Sequence, residues 1–301
     1  MLNESGLKKR AALIQSVRSF FINRGYLEVD TPARLPVLIP EAYNEPVESN
    51  DHFLQTSPEI CMKRLVAESG CQKIFQICKC YRKNERGDRH LPEFTMLEWY
   101  RTQSNYHSLM EECEDLILDL ARASGHSDSI VFKGVKVSLE KPWKRLSVAD
   151  AFKQYSPVTV EQALEQNTFD EVLCRYIEPN LGINKPVFLY DYPTVLGALA
   201  RKKEDNPSVA ERFEIYIAGV ELANGFSELT DADEQRQRFE QDLKQIKRQG
   251  RPVGKMPERF LEALPNLPET AGIALGLDRL AMVLFNAESI DQVVTFVPED
   301  L

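Results

Sequence analysis

The chain has 301 residues, of which 43% are hydrophobic and 28% are charged, and its formal net charge at pH 7 is -9. This length and composition support a sizeable core and exclude global disorder, and the acidic balance excludes a uniformly basic nucleic-acid-binding surface. No run of about 18 apolar residues is present, and the N-terminus lacks the apolar stretch of a signal peptide, so we expect a cytoplasmic protein without a membrane span. The 6 cysteines form no C-x-x-C pair, which favours structural thiols over a metal site.

The first half of the chain begins with a predicted amphipathic helix over residues 7–24, which ends at Gly25. Ser57-Pro58-Glu59 is typical of a helix start, with a serine cap and a proline in the first turn. Residues 74–82 and 93–103 alternate in polarity and predict two strands joined by a polar loop. A second amphipathic helix is predicted over residues 105–124.

The second half predicts a strand at 131–139 and a poorly patterned stretch at about 150–205, where we expect a small helical insertion. A strand at 213–221 and a charged helix at 231–249 follow. A short strand at 271–275 then leads into a final apolar helix. Because strand blocks and helices occur without regular βαβ alternation, we predict an α+β fold: an antiparallel sheet flanked by helices, within a single domain over 1–301.

One candidate site lies on the predicted strand at 93–103. Since side chains alternate along a strand, Phe94, Met96, Glu98 and Tyr100 share one face. A carboxylate between large side chains suits a cation-binding floor. An exposed face with a surface acid fits this segment equally well.

A second candidate is the segment Glu221-Leu-Ala-Asn-Gly-Phe-Ser-Glu228. Asn224, Phe226 and Glu228 alternate onto one face, and Gly225 permits a bend or a close approach to a ligand. Two carboxylates near an amide and an aromatic ring suit Mg²⁺ or an ammonium group. An ordinary turn with surface acids is the alternative.

Two arginines form the third candidate. Arg82 ends a predicted strand, and Arg279 begins a predicted helix after Gly276. Arginine pairs with phosphate oxygens and stacks on bases. Either arginine alone is more typical of a surface salt bridge, so only the combination of all three candidates is specific.

These segments together resemble the class II aminoacyl-tRNA synthetases over nearly the whole chain. Tyr26-Leu-Glu-Val-Asp-Thr-Pro32 resembles motif 1, the segment from Cys80-Tyr81-Arg82 resembles motif 2, and Gly272-Ile-Ala-Leu-Gly-Leu-Asp-Arg279 resembles motif 3. The segments Thr56–Glu59, His90–Tyr100 and Gly219–Phe226 resemble the lysine-specific branch.

Within that branch, the chain is most similar to the free-standing elongation factor P lysine ligases. It begins almost directly at the motif 1 helix, so we expect no anticodon-binding domain and no stable tRNA binding. Ala274 stands where the tRNA synthetases usually have glycine. The resemblance implies a homodimer through motif 1, with elongation factor P as the acceptor and no membrane partner.

The resemblance also implies a reaction and a set of residues. ATP would activate lysine or β-lysine as an adenylate, with Mg²⁺, and the aminoacyl group would pass to a lysine side chain of elongation factor P. Catalysis would fall to Arg82, Glu228 and Arg279, and Mg²⁺ to Glu221 and Glu228. The nucleotide would be bound by Arg82, Asn84, His90, Phe94, Glu221, Leu222, Gly276 and Arg279, with Phe94 and Arg279 on either side of the adenine. The amino acid would be bound by Ser57, Pro58, Glu59, Glu98, Tyr100, Asn224, Phe226, Glu228 and Ala274.

The chain departs from the family pattern at two positions. Asn84 stands where a glutamate is usual, with Glu85 one place later, and Leu91 stands where an asparagine is usual. Two alternatives therefore stay open: a truncated lysyl-tRNA synthetase-like enzyme with another acceptor, and a non-catalytic regulatory protein. α-Lysine and β-lysine are both dications with one carboxylate, so the residues do not separate them.

Overall fold

The computed structural model describes residues 1–301. The α-helices are α1 Glu4–Asn23, α2 Glu59–Ser69, α3 Tyr106–Ala123, α4 Val148–Tyr155, α5 Val160–Glu165, α6 Phe169–Val172, α7 Ala232–Arg248, α8 Glu258–Ala263 and α9 Leu277–Leu284. The strands are β1 Leu27–Glu28, β2 Arg34–Leu35, β3 Glu48–Ser49, β4 His52–Leu54, β5 Lys73–Tyr81, β6 Glu93–Thr102, β7 Ser129–Phe132, β8 Val135–Ser138, β9 Lys144–Ser147, β10 Val187–Pro193, β11 Val209–Ile217, β12 Val220–Ser227 and β13 Thr270–Gly276. No helix is both long and apolar enough to cross a membrane.

An eight-stranded sheet in the order β1-β5-β6-β13-β12-β11-β10-β9 forms the centre of the molecule. The six middle strands pair antiparallel, and the short edge strands β1 and β9 pair parallel with their neighbours. Two smaller sheets, β2-β4-β3 and β7-β8, lie apart from it. The prediction of an α+β fold, with a largely antiparallel sheet flanked by helices, is confirmed.

Helices pack on both faces of this sheet, so each face has its own apolar core. The larger core joins α1, α3 and α9 to one face through Phe21, Trp99 and Leu280. The smaller core joins α2, α7 and α8 to the other face through Met62, Phe239 and Phe260. The central strands are thereby held rigidly, which gives their side chains the fixed positions that a binding site requires.

A buried ion pair fixes the start of α9 against the sheet. The Asp278 carboxylate is 1% exposed, pairs with Arg10 of α1 at 2.7 Å, and accepts the backbone N–H of Thr95 at 2.6 Å. Because these contacts hold Asp278 in place, they also fix the direction of Arg279, the next residue. The aspartate of motif 3 therefore has a structural task here.

Several element predictions are corrected by the structure. Residues 131–139 form parts of two strands, β7 and β8, around a turn at Lys133 and Gly134, where the left-handed backbone favours glycine. Residues 213–221, predicted as one strand, include the end of β11, the turn at Ala218 and Gly219, and the start of β12. Both errors arise because a tight hairpin continues the alternation of polarity across its turn.

The structure also changes the bounds of the insertion that was predicted at about 150–205. Residues 148–180 are mainly helical and carry their own apolar cluster, whereas Val187–Pro193 form β10 of the main sheet. We therefore propose 148–180 as the insertion within a single domain.

At the start of α2, the cap residue is Pro58 and no side chain caps the helix, so the serine cap predicted from Ser57 is not formed.

Candidate active site

A cavity of about 710 Å³ opens along the middle of the large sheet. Strands β6, β12 and β13 form its floor, and the loop after β5 and the start of α9 contribute to its walls. The predicted site residues that line it are Arg82, His90, Phe94, Glu221, Leu222, Asn224, Phe226, Ala274, Gly276 and Arg279. The structure thus brings together residues from four separate parts of the sequence.

One end of the cavity carries Arg82, Arg279 and the ring of His90. Arg279 donates from Nη1 to the carboxylate of Glu221 at 3.1 Å and from Nη2 to His90 at 2.6 Å. Since a guanidinium can only donate, Nε2 of His90 is the acceptor, which leaves the other ring nitrogen protonated. Burial and the charge of Arg279 lower the pKa of His90, in agreement with a neutral ring.

Arg82 lies at the same end, with its guanidinium 5.2 Å from the ring centroid of Phe94. Its only ion pair is a loose one with Glu85, at 3.7 Å. The buried Nε of Arg82 has no hydrogen-bond partner. A buried donor without a partner, on an arginine that faces a cavity, suits an anionic ligand such as a phosphate.

The other end of the cavity adjoins a buried acid cluster, which we define as Glu59, Glu98, Glu228, Tyr100 and Lys63. The ammonium of Lys63 pairs with Glu59 at 2.5 Å and also with Glu228. The Tyr100 hydroxyl donates to Glu98 at 2.6 Å. Lys63 is 1% exposed, and the sequence did not predict it because it lies within α2, outside the segments that resemble the family.

The electrostatics of the acid cluster favour a further cation. Burial alone would lower the pKa of Lys63, but Glu228 and Glu59 raise it above its usual value, so Lys63 is charged. Burial raises the pKa of Glu228 to about 8, with Lys63 acting against the rise and Glu59 adding to it. Burial, with Glu59, also raises the pKa of Glu98 well above its usual value. Three acids thus share one resident cation.

Two carboxylate oxygens of the cluster, Oε2 of Glu98 and Oε1 of Glu228, have neither a hydrogen bond nor an ion pair. Buried polar atoms normally have partners, so these oxygens suit a cationic ligand. The cluster does not line the cavity itself but lies behind Phe226 and Ala274, which do. Glu98 and Glu228 are 1% and 2% exposed, so direct contact between a ligand and these two carboxylates requires a side chain of that wall to move.

Two glycines on the neighbouring strands have steric tasks. A Cβ atom on Gly272 would collide with the ring of Tyr100 and the carboxylate of Glu228. A Cβ atom on Gly225 would lie 2.8 Å from Cζ of Phe213. Gly225, which suggested a bend or an approach to a ligand, is therefore needed for packing within the sheet.

The predicted Mg²⁺ pair of Glu221 and Glu228 is not brought together. The two residues are seven positions apart on extended backbone, which separates them by roughly 20 Å. Glu214 lies on β11 opposite Asn224, two residues from Tyr216, which pairs with Glu221. Glu214 lines the cavity, and its pKa is raised by burial and by the charge of Glu221, with Arg212 acting against the rise. The sequence did not suggest Glu214 because the predicted strand ran through the hairpin turn.

Asn84 also lies away from its predicted place. It is exposed, has a left-handed backbone with φ 63°, and donates to Glu45 at 3.2 Å. Glu85 lines the cavity instead. The extra residue in this loop thus turns Asn84 outward and presents the glutamate one place later. Leu91 is 3% exposed and packs in the larger core.

Comparisons with known proteins agree with this geometry. The family model described as "tRNA synthetases class II (D, K and N)" matches residues 3–300. The chain belongs to this family of class II tRNA synthetases. Its curated relatives include proteins named elongation factor P–(R)-beta-lysine ligase. The one from Salmonella gallinarum is 39% identical over 96% of this chain and 94% of its own length. Those from Pectobacterium carotovorum and Pectobacterium atrosepticum are 38% and 39% identical, each over 98% of this chain and 95% of their own length.

In this class II synthetase, three motif-bearing elements meet at one cavity. Arg82 follows β5, Glu221 and Asn224 lie on β12, and Arg279 begins α9. Asn224 accepts a hydrogen bond from Arg212 at 3.0 Å, and Arg212 in turn donates to Glu214 at 2.6 Å. Arg212 and Glu214 are two cavity residues that the sequence did not predict, since neither lies in a segment that resembles the family motifs.

Proposed function

We propose that the protein activates (R)-β-lysine with ATP as an aminoacyl-adenylate and transfers the aminoacyl group to a lysine side chain of elongation factor P. The observation that carries the proposal is the division of the cavity into two ends. Arg82 and Arg279 provide a cationic end beside the neutral ring of His90, and the acid cluster with Glu59, Glu98 and Glu228 adjoins the other end behind the cavity wall. The first suits the phosphates of a nucleotide, and the second suits the distal ammonium of a diamino acid.

In the first step, a carboxylate oxygen of the amino acid attacks the α-phosphorus of ATP, and the bond to pyrophosphate breaks. Arg82 would bind the α-phosphate and stabilise the negative charge that accumulates there. Phe94 and Arg279 would hold the adenine between them. No side chain has to act as a covalent nucleophile, since the reaction requires the two substrates to be aligned and their charge balanced.

In the second step, the neutral amine of the acceptor lysine attacks the carbonyl carbon of the adenylate. An amide bond forms, the bond to AMP breaks, and the amine loses a proton. The acceptor side chain would enter from the open mouth of the cavity, where Tyr43 and Val195 are exposed.

Mg²⁺ would be held by Glu214 and Glu221 together with the phosphates of ATP. No group of three or more His, Cys, Asp or Glu side chains is placed to hold a metal by itself. This agrees with the chemistry of Mg²⁺, which commonly binds through one or two carboxylates and completes its shell with phosphate oxygens and water. When bound, the ion neutralises charge on the triphosphate.

A pyrophosphate-release assay tests the first half of this proposal. Purified protein with Mg-ATP is expected to release pyrophosphate with β-lysine or α-lysine and not with a panel of monoamino acids. Absence of release with every lysine isomer would contradict adenylate formation and favour the non-catalytic alternative.

The second half requires an acceptor assay. The radiolabelled aminoacyl group should pass to purified elongation factor P and not to a variant whose acceptor lysine is replaced by arginine. Transfer to tRNA, with none to elongation factor P, would instead favour the truncated tRNA synthetase-like alternative. We also propose a homodimer through motif 1, which sedimentation equilibrium can test.

A further inference from the structure

Glu41 is a cavity acid that belongs to none of the motifs above. It lies in the loop between β2 and β3, lines the cavity, and is only partly accessible. Its carboxylate accepts hydrogen bonds from Asn44 at 2.9 Å and from Thr56 at 3.2 Å. Both partners are neutral, and no cationic side chain lies close enough to form an ion pair with Glu41.

Most other acids of the cavity are neutralised by a neighbour. Glu85 pairs with Arg82, Glu214 with Arg212, Glu221 with Arg279, Glu234 with Lys202 and Arg238, and Asp278 with Arg10. Glu41 and Asp242 form no ion pair, and Asp170, which forms none either, is exposed to solvent at the rim. The two recessed acids without a cation adjoin one another, since Glu41 adds to the effect of burial that raises the pKa of Asp242 to about 6.

The surroundings of Glu41 fix its place relative to the chemistry. Burial raises the pKa of Glu41, with Arg82 acting against the rise and Glu59 adding to it. Glu41 thus lies within electrostatic range of both the phosphate-binding arginine and the first acid of α2. A buried carboxylate in such a position is costly unless a cation approaches it.

We infer that Glu41 binds the amino group next to the reacting carboxylate of the substrate, as a second ammonium site separate from the buried acid cluster. The inference rests on the proposed function. The substrate carboxylate has to meet the α-phosphate at Arg82, so an amino group one or two carbons away lies near the residues that surround Arg82. The distal ammonium, several bonds further along, points to the cluster of Glu98 and Glu228.

The test deletes the charge of Glu41 and, separately, the amino group that it binds. Glu41→Gln keeps the size of the side chain and can still accept hydrogen bonds from Asn44 and Thr56. We expect its KM for β-lysine to rise roughly ten- to hundredfold, with the KM for ATP changed by less than about threefold. 6-Aminohexanoate retains the carboxylate and the distal ammonium but lacks the proximal amino group. Its inhibition constant should therefore be nearly equal for the wild type and for Glu41→Gln.

Asp170→Asn is the matched control, because it removes the same charge from the rim of the same cavity. Its KM for β-lysine should stay within about twofold of the wild type. An unchanged KM in Glu41→Gln would overturn the inference, and so would an equal weakening of β-lysine and 6-aminohexanoate. A wild-type protein that activates no lysine isomer would instead contradict the proposed function itself, so the two failures are distinguishable.

Discussion

The two ends of the cavity differ in how their charges are arranged. At the nucleotide end, Arg82 and Arg279 line the cavity with partly exposed side chains, each in an ion pair with one acid, Glu85 or Glu221. At the amino-acid end, Glu98 and Glu228 are sealed behind the cavity wall, Glu59 is partly exposed, and Lys63 is the resident cation. The first arrangement suits the binding of a large, solvent-exposed anion. The second holds its charges out of water, which costs free energy but makes the pocket selective for a buried cation.

The largest effect is expected from the open end. Arg82→Ala should lower the kcat of pyrophosphate release by about 10²- to 10³-fold, because it removes a donor from the phosphorus at which charge accumulates. The KM for the amino acid should change little. The control is Arg236→Ala, which removes an exposed arginine paired with Glu258. Comparable turnover in the two variants would contradict the role of Arg82.

The next largest effect is expected from the sealed end. Glu228→Gln should lower kcat/KM for a lysine isomer by about 10²-fold, since one carboxylate of the cation site is lost. The fold should stay intact because Lys63 retains Glu59 as its partner, and circular dichroism can check this. Near-normal turnover would refute the role assigned to Glu228.

The KM for β-lysine and the KM for ATP should depend differently on pH, because each reports on one end of the cavity. Glu228 is ionised only above its pKa of about 8 in the empty site, and an ammonium binds best to the ionised form. As pH falls from about 8.5 to about 6.5, the KM for β-lysine should rise by up to about tenfold per pH unit. The KM for ATP should not follow this slope. In Glu228→Gln the slope should disappear, and its persistence there would assign the titration to another group.

The smallest effect concerns the loop at the open end. Asn84→Ala should change the KM for ATP by less than about twofold, because the side chain is exposed and bonded to Glu45 outside the cavity. Glu85→Ala should raise the KM for ATP by about tenfold if its carboxylate contacts the nucleotide. The reverse order of the two effects would show that the loop rearranges when the nucleotide binds.

The sequence predicted residues at both ends, including Glu59, Glu98, Tyr100 and Glu228 of the acid cluster. Arg82, Phe94 and Arg279 lie at the ends of elements, where periodicity and turn signals mark them, and the structure places all three at the cavity. Lys63 and Glu214 were missed because neither lies in a segment that resembles the family motifs. Their roles depend on which strands are neighbours, and pairing between distant segments is not encoded in a local pattern.

The Mg²⁺ prediction failed for a related reason. Glu221 and Glu228 are close along the chain, but a strand carries them to opposite ends of the site. Glu214 approaches Glu221 only because the chain reverses at Ala218 and Gly219. Identifying that turn in the sequence would have corrected both the strand boundary and the metal pair.

The most direct test of the two-ended cavity compares β-lysine with a matched amino acid that lacks only the distal ammonium, 3-aminohexanoate. Replacing the ammonium by a hydrogen atom leaves the acid cluster without its cation while the reacting carboxylate and the proximal amino group are retained. We expect kcat/KM for pyrophosphate release to fall by about 10³-fold or more, since a site built around a buried charge strongly rejects an analogue without it. Equal activation of the two amino acids would contradict the account.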